Sequence, residues 1–492
     1  MSIETELNLS ITPGVASRLV KHPLLTGARP IRQRVIHTYF DTPDLRLQRE
    51  RVLVQHRKKG ATGMSSVRRL ASTESKHGGR RVWEVAGDLG ELDFSHVDDQ
   101  DLRRWLEALR QDLRPAFTAH FTRSVWVLEP KKGVRIEMAL DRGWIEAEGR
   151  RQPICEVELD LLSGRMADLY AAAGELQSDF ALHPVGASKS QRGYRVLTAQ
   201  TTQAVKAAPV DIDASMTPIA AFRSIALNCL KHLQSNEQGL RECDNPEFVH
   251  QARVAIRRLR SAFRVWKPLL PEKFVAGFDP QWQALARKLG ETRNWDVFVA
   301  ETVPSLRTTF PDSPDVAYLT DFARHQASAN RRAAREALSA IDYSRLLLAF
   351  TASVLALPEG KQQRVDVLAP RCLSKRAKQV QLLAAEVLDA DAAARHRLRV
   401  AYKRLRYALE FFTPLYPGEA LRSYHLSTSG LQEMLGRLND LAVASELSTE
   451  ALPGTNGEAI RHWLEEQTIS LLPQLGKLLQ DFHRQPVPWV KC

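Results

Sequence analysis

The stretch HQARVAIRRLR, residues 250–260, returns as HRLRVAYKRLR at residues 396–406, which is 146 positions later. The pair Leu289–Gly290 returns as Leu435–Gly436 at the same offset. Two matches at one spacing indicate an internal duplication. The surrounding residues, from about 215 onward, carry alanine and leucine at spacings of three and four, which is typical of helices. We therefore predict an all-α domain of two similar helical bundles.

The duplicated stretch places basic side chains along one face of each helix. Positions four, seven and eleven residues apart lie on a single stripe of an α-helix. The first stripe contains His250, Arg253, Arg257, Arg260 and Arg264, and the second contains His396, Arg399, Lys403 and Arg406. Such stacked like charges repel one another, and Glu410 is the main acid spaced to neutralise them. Because guanidinium forks match phosphate oxygens, two facing stripes are expected to hold a chain of phosphates.

Other interpretations of the stripes stay open at this point. Most charge runs are ordinary solvated faces, although duplication in register argues against that origin. Nucleic acid is the less favoured polyanion, because no helix-turn-helix, zinc-finger or RNP-type aromatic pattern lies near the stripes. The two histidines could be phosphate donors, metal ligands or capped core residues, and we favour phosphate donors. The repeated Leu–Gly pairs are expected to serve close helix packing.

The first 200 residues are predicted to form mainly strands. Apolar and polar residues alternate at residues 4–9, 134–138 and 155–160, and turn residues separate such runs at 41–44, 131–133 and 141–143. Acids recur on several strands and arginines on others. If the sheet closes so that these faces converge, its interior offers acids to a divalent cation and cations to phosphates. Without closure, the same side chains form a solvated face.

The length and charge of the chain agree with this division. A chain of 492 residues predicts two or three domains. We expect a sheet domain over residues 1–200, a linker over 201–215 and a helical domain over 216–485. The linker is indicated by its small and polar residues and by Pro209. The formal net charge of +12 suits a polyanionic partner.

The cysteines and the start of the chain bear on location. Five cysteines without a CxxC pair are too sparse to staple a chain of this size, so a reducing cytoplasm is expected. The acidic start MSIETELNLS does not resemble a signal peptide. No stretch approaches the length of about 18 apolar residues that a membrane span needs. We expect a cytoplasmic protein, with association to polyphosphate granules if it binds that polymer.

Both parts of the chain resemble known families. YFDTPDLRL, residues 39–47, is highly similar to a stretch of the CYTH domain of triphosphate tunnel metalloenzymes. Further matches to that family are FTR at 121–123, RIE at 135–137, DRG at 141–143, EVE at 156–158 and SKSQRGY at 188–194. The helical part resembles a CHAD domain, so the chain is similar to bacterial CYTH–CHAD inorganic triphosphatases. The resemblance implies an α+β fold class, with an antiparallel β tunnel followed by the duplicated helical domain.

The resemblance also implies roles for particular residues. It implies that Mg²⁺ or Mn²⁺ is held by Glu4, Glu6, Glu137, Glu156 and Glu158. It implies that inorganic triphosphate is bound and hydrolysed with the help of Arg57, Arg68, Arg80, Arg123, Lys189 and Arg192. It implies that inorganic polyphosphate is bound by His250, Arg253, Arg257, Arg260, His396, Arg399, Lys403 and Arg406. Hard cations prefer carboxylate oxygens, and a bound cation orients water for attack on phosphorus.

Three positions depart from the family pattern. Asn8 replaces a lysine of the opening ExExK strand, Gln55 replaces an arginine of the LRIR strand, and Val82 replaces the middle acid of the RxExE strand. Each lost cation removes a charge-assisted hydrogen bond of about 1.5–3 kcal/mol. If half of the combined loss at Asn8 and Gln55 is specific to the transition state, the rate falls by about one to two orders of magnitude. A catalytically weakened polyphosphate-binding protein is therefore the alternative, and an enzyme for nucleoside or RNA triphosphates is a weaker third.

Overall fold

The computed structural model describes residues 6–25, 29–60, 62–69, 81–87, 92–199, 202–359, 363–385, 392–454 and 456–489. The chain divides into two compact units. The strand-rich unit consists of Met1–Gln203 with Ile341–Leu355, and the helical unit consists of Ala204–Ala340 with Ala356–Cys492. The predicted α+β class, with a sheet first and helices after it, is confirmed. The helix at Ile341–Leu355 is a difference, because the predicted boundaries assign it to the helical domain.

The strand-rich unit is built on one antiparallel sheet. Its strands are β1 Glu6–Ser10, β2 Ile31–Asp41, β3 Val52–Lys59, β4 Thr62–Arg69, β5 Arg81–Ala86, β6 Arg114–Lys131, β7 Val134–Ala147, β8 Arg150–Ser163 and β9 His183–Pro184. Their order across the sheet is β5-β4-β3-β2-β6-β7-β8-β1-β9. The helices of this unit are α1 Pro13–Leu19, α2 Arg46–Arg49, α3 Gln100–Leu109, α4 Met166–Asp179, α5 Lys189–Thr198 and α11 Ile341–Leu355.

One face of this sheet packs into hydrophobic cores. Leu7 and Leu9 of β1 and Val157 and Leu159 of β8 are buried in one cluster, together with residues of α1 and α4 and with Leu348 of α11. A second cluster joins β2, β3 and β5 to α3. Because side chains alternate along a strand, the polar residues between these apolar positions face the opposite side of the sheet.

The predicted turns are correct at two positions and wrong at a third. β2 ends at Asp41, and β6 and β7 are joined through Gly133, whose φ is +83°. The stretch 141–143 is not a turn but the middle of β7. Its Gly143 pairs with Phe121, and a Cβ there would lie 1.9 Å from the carbonyl oxygen of His120. The glycine thus permits β6 and β7 to approach closely. The composition of residues 141–143 resembles that of a turn, so the sequence did not reveal this role.

The helical unit confirms the predicted duplication. Its helices are α6 Pro218–Glu242, α7 Pro246–Trp266, α8 Glu272–Val297, α9 Val303–Thr309, α10 Pro314–Ser339, α12 Val365–Ala384, α13 Ala392–Phe412, α14 Glu419–Ala451 and α15 Glu458–His483. α7 and α13 begin and end exactly 146 residues apart. α7 packs between α6 and α8, α13 packs between α12 and α14, and α7 also contacts α13. The two basic stripes therefore lie on helices that meet.

The segment predicted as a linker is bound along α6 of the helical unit. Asn236 hydrogen-bonds both the N–H and the carbonyl oxygen of Val205, at 2.9 Å each. Ser224 donates to the carbonyl oxygen of Asp211 at 2.7 Å, and Ile212 is buried. Pro209 and the small residues do exclude regular structure here, but side chains of α6 satisfy the backbone instead.

No single helix in the described part of the chain is long and apolar enough to cross a bilayer, and α10 and α11 meet the length and composition only when counted together. Within the described ranges, the free cysteines are Cys155, Cys229, Cys243 and Cys372. Burial raises the pKa of the Cys229 thiol to about 12, so this side chain is an unreactive core residue.

Candidate functional site

The polar face of the sheet brings together acids from three neighbouring strands. Residues paired directly across adjacent strands share a face. In one row, Asp160 of β8 lies between Glu6 of β1 and Glu137 of β7. In another row, Glu156 lies next to Asp141. Glu158 occupies the row between these two, paired with Asn8 and Ala139.

Cations occupy the adjoining strands of the same face. Arg123 of β6 pairs with Asp141, Arg57 of β3 pairs with His37 of β2, and Arg68 of β4 pairs with Val82 and Leu53. The buried His37 lies among these cations, and its pKa reflects their positive charge. Its pKa lies well below the usual value because of burial, followed by the positive charges of Arg57, Lys189, Arg123 and Arg68. A phosphate placed here would meet several cations at once.

Helix α5 delivers two further cations to the acids. Its N-terminus is a capping box, in which Ser188 accepts from Gln191 N–H at 3.3 Å and the Gln191 side chain accepts from Ser188 N–H at 2.9 Å. Tyr194 donates to Asp41 Oδ2 at 2.9 Å and fixes the helix against β2. A Cβ on Gly193 would lie 1.9 Å from the Phe117 ring, so this glycine lets α5 approach β6. The helix thereby presents Lys189 to the sheet.

The cations and acids form a dense ion-pair cluster. Lys189 Nζ contacts carboxylates of Asp141, at 2.9 Å, and of Glu156 and Glu158. Arg123 donates to both Asp141 oxygens, at 2.8 and 2.6 Å, and also to Glu158. Arg192 Nη2 lies 2.5 Å from Glu156 Oε2. We call these six side chains the tunnel cluster.

The pKa directions in the tunnel cluster follow from mutual attraction. Burial by itself would lower the pKa of Lys189 and raise that of Glu158. The neighbouring opposite charges outweigh it, so the pKa of Lys189 is raised and that of Glu158 is lowered. Burial likewise opposes the shift at Arg123, whose pKa is raised by Asp141 and Glu158. All three groups are therefore charged around neutral pH.

The acids fit a divalent cation. Asp141, Glu156 and Glu158 each offer a carboxylate oxygen within 4.8 Å of the others, which is a hard donor set of the kind Mg²⁺ and Mn²⁺ take. The next row is crowded with like charge. The pKa of Asp160 is raised to about 6 by burial, and then by Glu6, Glu158 and Glu137. A divalent cation would relieve this repulsion.

Two of these acids are absent from the set expected from sequence. Asp141 lies in a segment that was predicted to be a turn, yet its side chain is fully buried against Arg123. Asp160 continues the alternation of Glu156 and Glu158, so the period-two pattern was sufficient to find it. Of the expected residues, Glu4 and Arg80 lie outside the described residues.

The three substituted positions face the same side as the tunnel cluster. Asn8 donates to Glu6 Oε1 at 2.8 Å, while its own Oδ1 is buried without a hydrogen-bond partner in the part of the chain that is described. Gln55 is 2% exposed and pairs with Tyr39 and Ser66. Val82 is 43% exposed, opposite Arg68 on the edge strand. Thus Asn8 and Gln55 are inside the face, and Val82 lies at its margin.

In the helical unit, the two basic stripes line adjoining cavities. The first cavity, of about 560 Å³, lies between α7 and α8 and is lined by Arg253, Arg257, Arg260, Pro280, Gln283, Ala284, Ala286 and Arg287. The second, of about 190 Å³, shares three of those arginines and adds Ser261, Arg264, Val400, Lys403, Arg404 and Tyr407. We call the two cavities together the basic groove. No acid lines either cavity among the described residues.

Four basic side chains in and beside the basic groove crowd one another. The pKa of Lys403 is lowered to about 5 by burial and then by Arg257, Arg399 and Arg253. Burial and neighbouring arginines lower the pKa of both Arg253 and Arg399 to about 10. Asp440 is the acid that acts on these groups, and burial raises its own pKa. The protein alone leaves this positive charge poorly compensated, which favours an anionic ligand.

The remaining residues of the two expected stripes lie in different environments. Arg260 pairs with Asp279 at 2.9 Å, and Arg406 pairs with Glu410 at 3.4 Å and donates to Gln432 at 2.6 Å. His396 is exposed. The pKa of His250 is lowered to about 4 by burial and by Arg293, so this histidine is neutral and can donate or accept one hydrogen bond.

The repeated Leu–Gly pairs behave differently at their two positions. Leu289 and Leu435 are buried, as close packing requires. A Cβ on Gly290 would lie 3.5 Å from Arg253 Nε, and one on Gly436 would meet nothing within 4 Å. The leucines therefore pack as expected of the pairs, while neither glycine is required for that packing, since both have room for a methyl group.

Comparisons with known proteins agree with both units. Residues 2–194 match the CYTH domain and residues 224–449 match the CHAD domain. An inorganic triphosphatase of Haemophilus influenzae is 38% identical over 82 residues, which is 17% of this chain and 23% of the relative. The chain thus matches less than a quarter of that relative's length.

Two solved structures also match the chain. The CHAD domain from the plant Ricinus communis is 32% identical, with a TM-score of 0.52, over 58% of this chain and 99% of its own. PptA from Streptomyces chartreusis is 16% identical, with a TM-score of 0.41, over 56% of this chain and 99% of its own. With CYTH matched across the strands and CHAD across the duplicated helices, the chain belongs to the CYTH–CHAD proteins.

Proposed function

We propose that the chain hydrolyses inorganic triphosphate in its CYTH domain with Mg²⁺ or Mn²⁺, and that its CHAD domain binds inorganic polyphosphate. One observation carries the first proposal. A single face of the sheet has a cationic side around His37 and an acidic side around Asp160. The pKa of His37 is lowered and the pKa of Asp160 is raised. A polyphosphate anion needs the first side, and a divalent cation needs the second.

Each side has a distinct task in the proposed reaction. Arg57, Arg68 and Arg123 would bind the phosphate oxygens and neutralise the charge that spreads over them in the transition state. Asp141, Glu156 and Glu158 would hold the cation, with Glu6 and Asp160 next to them. When bound, that cation supplies Lewis-acid polarisation and an oriented water. The buried aliphatic and aromatic residues around His37 and Tyr39 keep bulk water away from this end of the face.

Lys189 links the two sides. It lies among the three carboxylates that would hold the cation, so a divalent cation competes with its ammonium group. A triphosphate carries enough negative charge to offer Lys189 and Arg192 new partners. Cation and phosphate binding are therefore expected to be mutually reinforcing.

The test is phosphate release from tripolyphosphate in the presence of Mg²⁺ or Mn²⁺. Glu6→Gln removes an exposed acid from the face and is expected to lower the rate by at least tenfold. Glu129→Gln, which alters an exposed acid elsewhere on the sheet, is the matched control. The double variant Glu4→Gln/Glu6→Gln completes the series. Equal release by all of these proteins would overturn the proposed hydrolysis, and a panel of nucleoside and RNA triphosphates tests the weaker alternative.

Polyphosphate binding by the CHAD domain is supported by the uncompensated charge of the basic groove. Arg257→Gln with Lys403→Gln removes two of its central basic side chains. Affinity for polyphosphate is expected to fall by at least tenfold. Arg307→Gln with Arg324→Gln is the control, because it removes two basic side chains at exposed positions. If single-stranded nucleic acid bound more tightly than polyphosphate at equal salt concentration, the proposed ligand would be wrong.

A second function is favoured by the substituted positions. Asn8 and Gln55 place amides where cations would bind phosphate, which suits a protein that binds polyphosphate but hydrolyses triphosphate slowly. Restoring Asn8→Lys and Gln55→Arg then raises turnover strongly, and no gain would count against weakened catalysis. We propose a cytoplasmic location with association to polyphosphate granules. Imaging of a fluorescent fusion in cells with and without polyphosphate tests that location.

A further inference from the structure

The two copies of the helical repeat differ at one charged pair. At the offset of 146 residues, Arg258 of α7 corresponds to Arg404 of α13, and Glu410 of α13 corresponds to Arg264 of α7. An arginine and a glutamate that meet in one copy are therefore replaced by two arginines in the other. Comparing the two copies therefore shows what the exchange of glutamate for arginine does.

In the first copy, the arginine is paired with an acid inside the protein. Arg258 is 1% exposed, and its Nε donates to Glu410 Oε1 at 2.5 Å. Its Nη1 donates to Asn228 Oδ1 at 3.0 Å. The charged neighbour keeps the pKa of Arg258 raised, although burial by itself would lower it. This copy needs no external anion.

In the second copy, the equivalent arginine faces further positive charge. Arg404 and Arg264 both line the smaller cavity of the basic groove. Arg376 of α12 adds a third guanidinium. No acid lies within 4.0 Å of these three guanidinium groups among the residues that the structure describes, and the positive charge of Arg404 acts on both Arg264 and Arg376.

Two donors at this place are buried and unused. The Nε atoms of Arg376 and Arg404 have no hydrogen-bond partner within the described ranges. Arg376 Nη1 donates to the carbonyl oxygen of Cys372 at 3.1 Å, which holds that side chain in place along α12. Burial, followed in its effect by the nearby arginines, lowers the pKa of Arg264. Unsatisfied buried cations are costly unless an anion accepts their hydrogen bonds.

We propose that Arg264, Arg376 and Arg404 form an anion subsite that binds a phosphate group of a polyphosphate chain extending beyond the central cations of the basic groove. The proposal rests on the proposed function of the CHAD domain. Because the smaller cavity also contains Arg253, Arg257 and Lys403, one chain can follow it from the central cations to the subsite. The consequence is a preference for long chains over tripolyphosphate, because Arg253 and Arg264 are eleven residues apart on α7, about 17 Å along its axis, and a long chain spans that distance.

The experiment compares two double variants of the full chain by titration calorimetry with long-chain polyphosphate and with tripolyphosphate. Arg376→Gln/Arg404→Gln removes the subsite, and Arg371→Gln/Lys375→Gln removes the same charge from exposed positions of α12. The first variant is expected to bind long chains about 10- to 100-fold more weakly and tripolyphosphate unchanged. Equal long-chain affinity of the two variants would overturn the subsite alone. A wild-type protein that binds no polyphosphate would overturn the proposed function as well.

Arg264→Glu separates a binding role from a structural one. It reproduces in the second copy the arginine–glutamate pair of the first, so it should raise the melting temperature while it lowers affinity for long chains. The conservative Arg264→Lys keeps the charge and should retain most of that affinity. A fall in melting temperature with unchanged long-chain affinity would show that the three arginines only support the fold.

Discussion

Replacing Lys189 by methionine should destabilise the strand-rich unit and strengthen its binding of divalent cations. The ammonium group is 9% exposed and contacts Asp141, Glu156 and Glu158, which are themselves buried. Methionine has a similar length and no charge. Among the described residues, the variant therefore leaves three buried carboxylates with Arg123 and Arg192 to neutralise them.

The size of the effect follows from the burial of these groups. Removing one partner of a buried ion pair costs about 3–5 kcal/mol in the free energy of unfolding. For a unit of this size, that corresponds to a fall in melting temperature of about 6–20 °C. Lys131→Met is the matched control, because its ion pair with Asp168 at 2.6 Å involves a lysine that is 57% exposed. That control should cost about 0–1 kcal/mol.

The effect has a defined pH window. The pKa of Lys189 is raised, so its contribution to stability is complete below its ordinary value of 10.5 and is lost only as the pH rises through the folded value. The pKa of Glu158 is lowered, so its contribution is complete above its ordinary value of 4.5 and is lost as the pH falls through the folded value. The variant's loss of unfolding free energy should therefore be complete between pH 4.5 and pH 10.5, and it should become smaller as the pH falls below 4.5.

Differential scanning calorimetry of the full chain measures this, and titration with Mn²⁺ measures the competition. We expect Mn²⁺ to bind Lys189→Met more tightly than wild type, because the internal cation has been removed, and to restore much of the lost melting temperature. A variant that melts like wild type at neutral pH, or that binds Mn²⁺ more weakly, would refute the role assigned to Lys189.

Three further outcomes are expected. Polyphosphate binding should take up about one proton at neutral pH, because a bound anion raises the pKa of Lys403 from about 5, and calorimetry in buffers of different ionisation enthalpy detects it. Lys403→Met should abolish that uptake. Gly193→Ala should cost about 1–3 kcal/mol of unfolding free energy, because its methyl group would overlap the Phe117 ring, and thermal unfolding measures this loss. Asn8→Lys alone should raise tripolyphosphate turnover in a phosphate-release assay, since a lysine there adds a cation beside Glu158; an unchanged rate would contradict that placement.

Local patterns predict much of this molecule, because strand alternation and helix periodicity are properties of neighbouring residues. The offset of the basic stretch predicts α7 and α13, which indeed begin and end 146 residues apart. The alternation at residues 155–160 predicts which side chains share the polar face. What local patterns miss are partners supplied by other elements. Arg260 is neutralised by Asp279 of α8, and no spacing within one helix could reveal that pair.

Residue composition predicts turns and linkers wrongly where aspartate, glycine or proline has another structural role. The stretch 141–143 has the composition of a turn, yet its aspartate is a buried ion-pair partner and its glycine relieves a contact between strands. The segment around Pro209 has the composition of a linker, yet Asn236 holds its backbone. In both cases the partner lies more than fifteen residues away in the sequence: Arg123 pairs with Asp141, and Asn236 hydrogen-bonds Val205. A pattern read from neighbouring residues does not include such partners.

Helix α11 makes the strand-rich unit dependent on a distant part of the chain. Leu348 is buried in the same core as residues of β1, β8 and α4, and Ser344 lies 2.7 Å from His183. A fragment cut near residue 200 would leave that core surface uncovered and prone to aggregation. The chain passes between the two units three times, so one cut in the gene does not separate them completely. A fragment of the CYTH part is therefore expected to stay in solution only when residues 341–355 are supplied with it, by co-expression or by an engineered fusion.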